Sequence, residues 1–293
     1  MRTFLKSAYG HYIAATGGLE RLHEGKAVIL TFHRVRPGGE DPRYRAMRVL
    51  DVAVPDFRRM LTWLRERYEP MALLDWVRCE KPPERPSFIV TFDDGWADNF
   101  EYAFPVLYEL GIPATIFLAT GAVEDRTPFW WQVAGLSDAE IEQQKLQQVP
   151  YMTSVQAGYL ELRKGHNKDF LTWDQVIQMG ESGLITFGPH GHEHALMDKL
   201  PRKEALDDVK RCWELLIQNV PKSLVPVLAW PNGNARFDLG AEFESLGLCA
   251  AVGTGRGAVS TLSKARWSLP RNNVDRNTSI HPGLLPWLMT RAT

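Results

Sequence analysis

The sequence predicts an α/β fold with a largely parallel sheet, either closed into a barrel or open and doubly wound. Three observations predict it. The 293 residues are 44% hydrophobic and 24% charged, which is a globular composition and excludes a disordered chain. Short β-branched or apolar runs alternate with amphipathic stretches, as in successive β/α units. No apolar run reaches the roughly 18 residues that a membrane-spanning helix requires.

The first half of the chain contains two clear β/α units and a third strand. Uninterrupted apolar runs such as AVILTF and SFIVTF are typical of strands that are buried on both faces. The predicted strands are 27–32, 87–92 and 114–119. Apolar residues at helical spacing predict helices over 54–67 and 99–110, the second closed by Gly111.

The β/α rhythm is interrupted over 121–170, which we interpret as an insertion that forms a lid or a substrate arm. The rhythm then resumes. The predicted helices are 172–179, 202–218 and 237–246, and the predicted strands are 184–187, 224–230, 249–253 and 266–270. This division gives an N-terminal helical segment (1–26), a barrel-type domain (27–275) and a C-terminal tail (276–293).

Two adjacent carboxylates, Asp93 and Asp94, end the strand 87–92. Successive side chains of a strand point in opposite directions, so the two groups are expected to serve separate tasks. Neighbouring carboxylates repel each other, and apolar surroundings raise the pKa of one of them. A divalent cation relieves that cost, although an exposed acidic pair that opens a helix is the plain structural alternative.

Three histidines, His190, His192 and His194, follow the strand 184–187. His190 and His194 stand four residues apart, so one helical turn would place both imidazoles on the same side. The zincin motif HExxH is absent. One carboxylate, two imidazoles and an open position match a catalytic zinc site, and the second carboxylate remains available as a base.

These motifs resemble the polysaccharide deacetylase family, whose domain is also called the NodB-homology fold (carbohydrate esterase family four). The chain carries TFDDG at 91–95 and G-x-H-x-x-x-H at 188–194, with the softer segments LTWDQV and LAWPNG. The resemblance covers 27–274. It implies a distorted (β/α)7-type barrel in which Asp94, His190 and His194 are metal ligands and Asp93 is the catalytic base.

The chain departs from the family pattern at its third motif. Where the family often has Arg-x-Pro-Tyr, this sequence has Ala-Trp-Pro-Asn at 229–232. The resemblance assigns oxyanion binding to the backbone N–H of Asn232, which does not depend on the side chain. The missing Arg would have oriented Asp93, and Arg271 is the expected replacement. The alternative for Arg271 is a surface position paired with Asp275.

The histidine that acts as the general acid in the family also has a different position in this sequence. The late Leu-x-His motif of the family has no match near the C-terminus, because His281 is followed by Pro282 and a short tail. An additional early strand instead ends in His33. This arrangement resembles the permuted branch that includes the poly-N-acetylglucosamine deacetylases, which implies that His33 is the acid.

The implied function is a metal-dependent hydrolase that removes N-acetyl groups from an amino-sugar glycan or glycan precursor and releases acetate. Zinc is the expected metal, and nickel, cobalt or iron suit the same ligands. Trp96 and the run Phe129-Trp130-Trp131 are expected platforms for sugar rings. Two alternatives stay open: a degenerate barrel that binds glycan without turnover, and a two-His-one-carboxylate iron oxygenase.

The balance of charged residues, the cysteines and the N-terminal segment indicate which partners and which cellular location to expect. Lys and Arg number 34 against 35 for Asp and Glu, which argues against a nucleic-acid-binding protein. Three scattered cysteines fit a reducing compartment, and no signal-peptide core is seen. We therefore expect a cytoplasmic protein. Its N-terminal segment is expected to be a helix packed on the domain, and the alternative is a helix that lies on the inner face of the membrane. The oligomeric state stays open.

Overall fold

The computed structural model describes residues 2–38, 48–79, 81–125, 129, 168–262 and 266–292. All strand ladders within these ranges are parallel, as predicted. The strands are β1 (Ala27–Phe32), β2 (Arg34–Arg36), β3 (Asp51–Ala53), β4 (Glu69–Pro70), β5 (Ser87–Phe92), β6 (Ala114–Leu118), β7 (Ile185–Pro189), β8 (Val227–Ala229), β9 (Ala250–Val252) and β10 (Asn272–Asn273).

Helices separate the strands. They are α1 (Arg2–Ala15), α2 (Gly18–Leu22), α3 (Val54–Arg65), α4 (Leu73–Arg78), α5 (Phe104–Leu110), α6 (Thr120–Glu124), α7 (Trp173–Glu181), α8 (Arg202–Asn219), α9 (Gly240–Ser245), α10 (Arg276–Ile280) and α11 (Leu284–Met289). A π-helical turn over Asn99–Ala103 leads into α5. None of the described helices is long and apolar enough to cross a membrane.

The strands close into a distorted barrel. The main sheet has the order β10-β1-β5-β6-β7, and β8 pairs with β9. Two isolated parallel bridges join these sheets: Phe187 to Leu224 connects β7 toward β8, and Val252 to Leu269 connects β9 toward β10. The fold class expected from the motif resemblance is therefore confirmed.

The alternation of strand side chains gives the barrel an inside and an outside. On β1, Val28, Leu30 and Phe32 belong to the large outer core that packs against the helices. Ile29 belongs to a separate inner cluster with Ile89 and with residues of β6, β8 and β9. Continuing this period, Thr31 and Thr91 face each other inside, with their hydroxyl oxygens 3.2 Å apart.

Several sequence-predicted elements match closely, and two are wrong in extent or type. Thr172 caps α7 with a reciprocal bond to Gln175, and Gly111 ends α5 in a left-handed conformation. The predicted strand 224–230 is extended in a ladder only over β8, because Pro226 has no N–H to contribute. The predicted strand 266–270 is a 3-10 turn over Arg266–Ser268, followed by the single bridge at Leu269.

The two ends of the chain pack against each other. Helix α1 crosses α11 so closely that a Cβ at Gly10 would collide with the Gly283 carbonyl oxygen. His23 lies beneath this crossing, where its Nδ1 is 2.8 Å from the Tyr68 hydroxyl and its Nε2 is 2.9 Å from the Ala292 carbonyl. The segment predicted as a tail thus contains α10 and α11, and these helices contribute to the outer core.

Candidate active site

The carboxyl ends of β5 and β7 bring three of the predicted residues together. Asp94 Oδ1 lies 3.2 Å from His194 Nε2 and 3.5 Å from His190 Nε2. One potential ligand atom from each residue lies within 4.8 Å of the others, and all three side chains are buried. The two imidazoles and the carboxylate therefore share one small volume.

A turn directs Asp94 away from Asp93. Asp94 adopts a left-handed conformation (φ 77°), and Gly95 continues it (φ 83°). A left-handed Asp costs backbone energy, which the surrounding contacts must offset. Asp94 Oδ2 accepts a hydrogen bond of 2.8 Å from the indole N–H of Trp96, so only Oδ1 is directed at the histidines. The adjacent carboxylates thus occupy separate environments, as the strand geometry predicted.

The histidine segment is a loop rather than the predicted helical turn. Gly191 (φ 79°) and His194 (φ 54°) have left-handed backbones, which a helix does not allow. The loop is held from α8 by Asp208, whose two carboxylate oxygens accept 2.9 Å bonds from the backbone N–H groups of His192 and Glu193. Asp208 therefore fixes two of the three residues that lie between the potential ligands.

The geometry fits a divalent metal ion. A tetrahedral ion bonded at 2.0–2.1 Å separates its ligand atoms by roughly 3.3 Å, close to the distances around Asp94 Oδ1. His190 Nδ1 lies 2.8 Å from the Ala229 carbonyl oxygen, which accepts only, so Nδ1 carries a proton and Nε2 is the nitrogen available to a metal ion. Such second contacts are typical of metal-ligating histidines.

The charges of the site are strongly coupled. Burial alone would raise the pKa of Asp94, but hydrogen bonds from His190 and His194 outweigh it and hold that pKa well below its usual range. Burial alone would lower the pKa of His190, but the Asp93 and Asp94 carboxylates outweigh it and raise that pKa. The cluster therefore stabilises an ionised carboxylate, the state that binds a cation.

Asp93 is held by Arg271 inside the barrel. The guanidinium binds both carboxylate oxygens, with Nη1 2.6 Å from Oδ1 and Nη2 2.7 Å from Oδ2. Arg271 Nε donates to the Gly253 carbonyl at 2.9 Å, and only 1% of the residue is exposed. The surface alternative for Arg271 is wrong, because Asp275 instead accepts bonds from Thr278. Burial would raise the pKa of Asp93, but Arg271 outweighs it and lowers that pKa.

His33 lies next to Asp93 through the β1–β5 register. Phe32 pairs with Phe92, and the Phe32 carbonyl accepts the Asp93 N–H at 3.2 Å. His33 continues the inward series of β1, and its buried Nδ1 has no hydrogen-bond partner among the described residues. Burial lowers the pKa of His33, and the Asp94 and Asp93 carboxylates offset only part of that effect.

Asn232 lies in the turn after β8, three residues beyond the carbonyl that contacts His190. Its backbone is left-handed (φ 56°), and its side-chain amide donates to Asn234 at 3.1 Å. The amide side chain is therefore occupied within the turn. The turn lies beside the metal-ligand candidates, because the Ala229 carbonyl at its start contacts His190.

Trp96 and Phe129, the two predicted sugar platforms that the structure describes, are buried rather than exposed. Trp96 is 3% exposed and stacks on Phe170 with ring centroids 4.6 Å apart. Phe129 is also buried, and its ring centroid is 4.8 Å from that of His194. Both residues form a wall around the Asp94 cluster. Trp130 and Trp131, with most of the predicted insertion 121–170, lie outside the described residues.

Three contacts at the site were not predicted from the sequence. The Trp96 indole binds Asp94, Asp208 fixes the histidine loop, and Arg34 supports Trp96 from β2. Arg34 Nε donates to Asp98 at 2.7 Å, and the guanidinium carbon is 4.1 Å from the Trp96 ring centroid. A signal existed for Trp96, which directly follows TFDDG, but no motif surrounds Asp208 in the sequence.

The fold is similar to that of solved deacetylase structures. IcaB from Ammonifex degensii aligns with 90% of this chain and 97% of its own, with a TM-score of 0.64 and 19% identity. The Streptococcus pyogenes deacetylase PplD, in complex with acetate, aligns with 88% of this chain and 98% of its own, with a TM-score of 0.64 and 17% identity. At these identities the likeness establishes the fold alone.

The chain belongs to the polysaccharide deacetylase family, as predicted: the family model matches residues 80–251, more than half of its length. The poly-beta-1,6-N-acetyl-D-glucosamine N-deacetylase of Staphylococcus epidermidis is 24% identical over 233 residues, covering 73% of this chain and 67% of that protein. The Bacillus subtilis protein YxkH is 33% identical over 98 residues, which is 32% of either chain. The alignment thus spans about a third of YxkH and two thirds of the staphylococcal protein.

Proposed function

We propose that this protein is a metal-dependent hydrolase that removes N-acetyl groups from an amino-sugar glycan or glycan precursor. The observation that carries the proposal is the pairing of two sites at one end of the barrel. One is the Asp94–His190–His194 cluster, and the other is the Asp93–Arg271 pair beside it. A ligand set next to an oriented, ionised carboxylate is what hydrolysis of an unactivated amide requires.

Asp94, His190 and His194 would hold the metal ion, for which zinc is the first candidate given two imidazoles and one carboxylate. A divalent ion bound there would act as a Lewis acid on the acetamide carbonyl and increase the acidity of water. The bond between His190 Nδ1 and the Ala229 carbonyl fixes the imidazole tautomer for this task. The Trp96 indole and Asp208 restrict the carboxylate and the histidine loop.

Asp93 would be the general base. Arg271 keeps it ionised and fixes both of its oxygens, so it can accept a proton from attacking water. The bidentate pair occupies the base when no substrate is present, and general bases often form tighter catalytic contacts only in the substrate complex. Arg271 would thereby supply the positioning that the third family motif lacks in this chain.

His33 would deliver a proton to the departing nitrogen. Burial lowers the pKa of its imidazole, so His33 is neutral in the resting protein and must gain a proton during the reaction. Asp93, adjacent in the strand register, carries the proton taken from water and is the proposed source. The amide C–N bond then breaks, and the products are acetate and a free amine. The Asn232 N–H is the proposed donor to the oxyanion, a contribution of about 3 kcal/mol in comparable sites.

The family supports an N-acetylated polysaccharide as the substrate class, and a relative acts by its name on poly-beta-1,6-N-acetyl-D-glucosamine. Deacetylation changes a neutral sugar into a cationic one, so the proposed consequence is an altered glycan charge. The parallel barrel differs from the jelly roll usual for iron oxygenases that share these ligands, and the second carboxylate has no task in that chemistry.

The test is release of acetate from N-acetylglucosamine oligomers by the metal-loaded, the chelator-treated and the zinc-restored protein. The proposal expects activity in the first, loss in the second and recovery in the third. His33→Ala should lower turnover and leave zinc affinity unchanged. A protein that binds zinc but releases no acetate from any N-acetylated sugar would be the non-catalytic glycan-binding barrel, and the proposal would fail.

A further inference from the structure

Helix α1 exposes a continuous apolar face. Its residues Phe4, Leu5, Tyr9 and Tyr12 are four of the nine large hydrophobic side chains that are exposed in the described part of the chain. Their exposed fractions are 75%, 59%, 49% and 65%. At 100° per residue they form one stripe with Ala8 between them, which we call the α1 stripe. A monomeric protein rarely exposes such a patch without a partner.

The opposite face of α1 is already used. Gly10 contacts the α11 region, and Ile13 and Ala14 pack against the outer core. The helix is thus fixed to the barrel in an orientation that directs the α1 stripe outward. No other segment among the described residues covers these side chains, as their exposure shows.

Positive charge surrounds the stripe. Residues 2–19 and 283–292, whose helices α1 and α11 pack against each other, contain three Lys and Arg residues (Arg2, Lys6 and Arg291) and no Asp or Glu, although the whole chain has a net charge of −1. Lys6 Nζ lies 4.3 Å and Arg291 Cζ lies 5.2 Å from the ring centroid of Trp287. The two cations are therefore held around one indole at the edge of α1.

A cavity of about 510 Å³ extends from these cations along the barrel. It is lined by Lys6, Arg256 and Arg291 and by a single carboxylate, Asp275, which is already bound to Thr278. Thr254, Asn273 and Asp275 place the cavity beyond the carboxyl ends of β9 and β10, the end of the barrel that holds Arg271. Three cations around a polar cavity are suited to an anionic group such as a phosphodiester.

We infer that the α1 stripe and this basic cavity form a docking surface for an anionic phospholipid bilayer. The apolar stripe would enter the interface between headgroups and acyl chains, where aromatic and aliphatic side chains of amphipathic helices reside. The flanking Arg2, Lys6 and Arg291 would face anionic headgroups, to which each basic residue adds attraction. Docking would place the carboxyl end of the barrel at the membrane surface. This inference is independent of the proposed hydrolysis.

The test is co-sedimentation of the full chain with vesicles of phosphatidylcholine and phosphatidylglycerol, compared with vesicles of phosphatidylcholine alone. We expect tighter binding to the anionic vesicles, weakened by added salt. The double variant Phe4→Ser with Leu5→Ser should bind at least about tenfold more weakly. The matched control, Tyr108→Ser with Phe237→Ser, alters two side chains that are each 65% exposed elsewhere and should bind like wild type.

Arg2→Gln combined with Arg291→Gln should reduce binding to the level seen with neutral vesicles. The Phe4 and Leu5 variant and the Arg2 and Arg291 variant should both keep the wild-type circular dichroism spectrum and zinc affinity, since the substituted side chains are exposed. The inference fails if wild-type protein does not sediment with anionic vesicles, or if the Phe4 and Leu5 variant binds as well as the control. It also fails if the stripe variant instead abolishes a dimer in sedimentation equilibrium, which would identify the stripe as an interface between two copies.

Discussion

Substitution of Arg271 by Gln tests how the buried Asp93 is prepared for its proposed role. The variant removes two hydrogen bonds of 2.6 and 2.7 Å and leaves the carboxylate buried without its counter-charge. Breaking such a pair by removing one partner costs about 3–5 kcal/mol of folding free energy. At roughly 2 °C per kcal/mol for a chain of this size, Tm should fall by about 6–10 °C.

Activity should respond in a way that instability alone does not explain. Arg271 lowers the pKa of Asp93, so its removal raises that pKa, and a larger fraction of the base is protonated at neutral pH. Acetate release at pH 7 should fall about 100-fold or more, the usual contribution of a general base. The acidic limb of the pH profile of kcat/KM should move to higher pH, so the deficit shrinks as pH rises.

Two further variants separate charge from geometry. Arg271→Lys keeps the positive charge but loses the planar fork, so its acidic limb should lie between those of wild type and Arg271→Gln. Arg202→Gln removes a surface Arg that pairs with Asp238 at 2.8 Å and should change neither Tm nor the pH profile measurably. An Arg271→Gln protein that is folded, fully active and unchanged in its acidic limb would refute the role assigned to the pair.

Three other predictions follow from single contacts. Asp208→Asn should raise the zinc dissociation constant about tenfold or more, because it weakens the hydrogen bonds that hold the histidine loop. The control Asp207→Asn alters an exposed neighbour and should leave the zinc affinity unchanged. Equal zinc affinities of the two variants in calorimetry would contradict this prediction. Trp96→Phe, which removes the indole N–H donated to a ligand carboxylate, should weaken zinc binding by a similar factor while the packing is kept, and unaltered affinity would contradict it. Burial lowers the pKa of His23, so protonation favours the unfolded chain: stability is complete above the ordinary value of about 6.5 and declines as pH falls below it. Thermal melts of His23→Gln should therefore lose less stability than wild type between pH 7.5 and 5.5, and an equal loss would contradict the assignment.

The strands buried on both faces were the most predictable part of the fold. The runs AVILTF and SFIVTF became β1 and β5 with the predicted bounds, since all their residues are buried in the barrel wall. Residues 266–270 resembled another short strand, but Arg266 bonds Glu244 and Trp267 packs on Phe243 with ring centroids 5.8 Å apart. These long-range contacts stabilise a 3-10 turn, and no local pattern reveals them.

In the candidate site, too, the residues that belong to a local motif could be predicted from the sequence, and those that act through long-range contacts could not. The residues of TFDDG and of the histidine segment carry their chemistry in the local motif, so the Asp94–His190–His194 cluster could be predicted. The helical turn expected at His190 was wrong because Gly191 and the left-handed His194 bend the loop toward Asp94. Asp208 could not be found, because its task depends on where α8 packs against the barrel.

The polar partner of an aromatic side chain was equally hard to predict. Trp96 follows the acidic pair and was predicted to be a platform for sugar rings. It is instead buried, and its indole N–H donates to Asp94. Sequence composition does not distinguish an exposed indole from a buried one that positions a ligand. Arg271 was anticipated because the missing family Arg left a need for positive charge near Asp93, and the late strand end was the available place.

The central claim is that neighbouring carboxylates have separate tasks, Asp94 binding the metal and Asp93 accepting the proton. The most direct test measures zinc binding by calorimetry and acetate release on the same preparations of Asp93→Asn and Asp94→Asn. Asp93→Asn is predicted to bind one zinc ion with near wild-type affinity and to release no acetate, whereas Asp94→Asn loses the ion itself. An Asp93→Asn protein that fails to bind zinc, or that still hydrolyses the oligomer, would contradict the account.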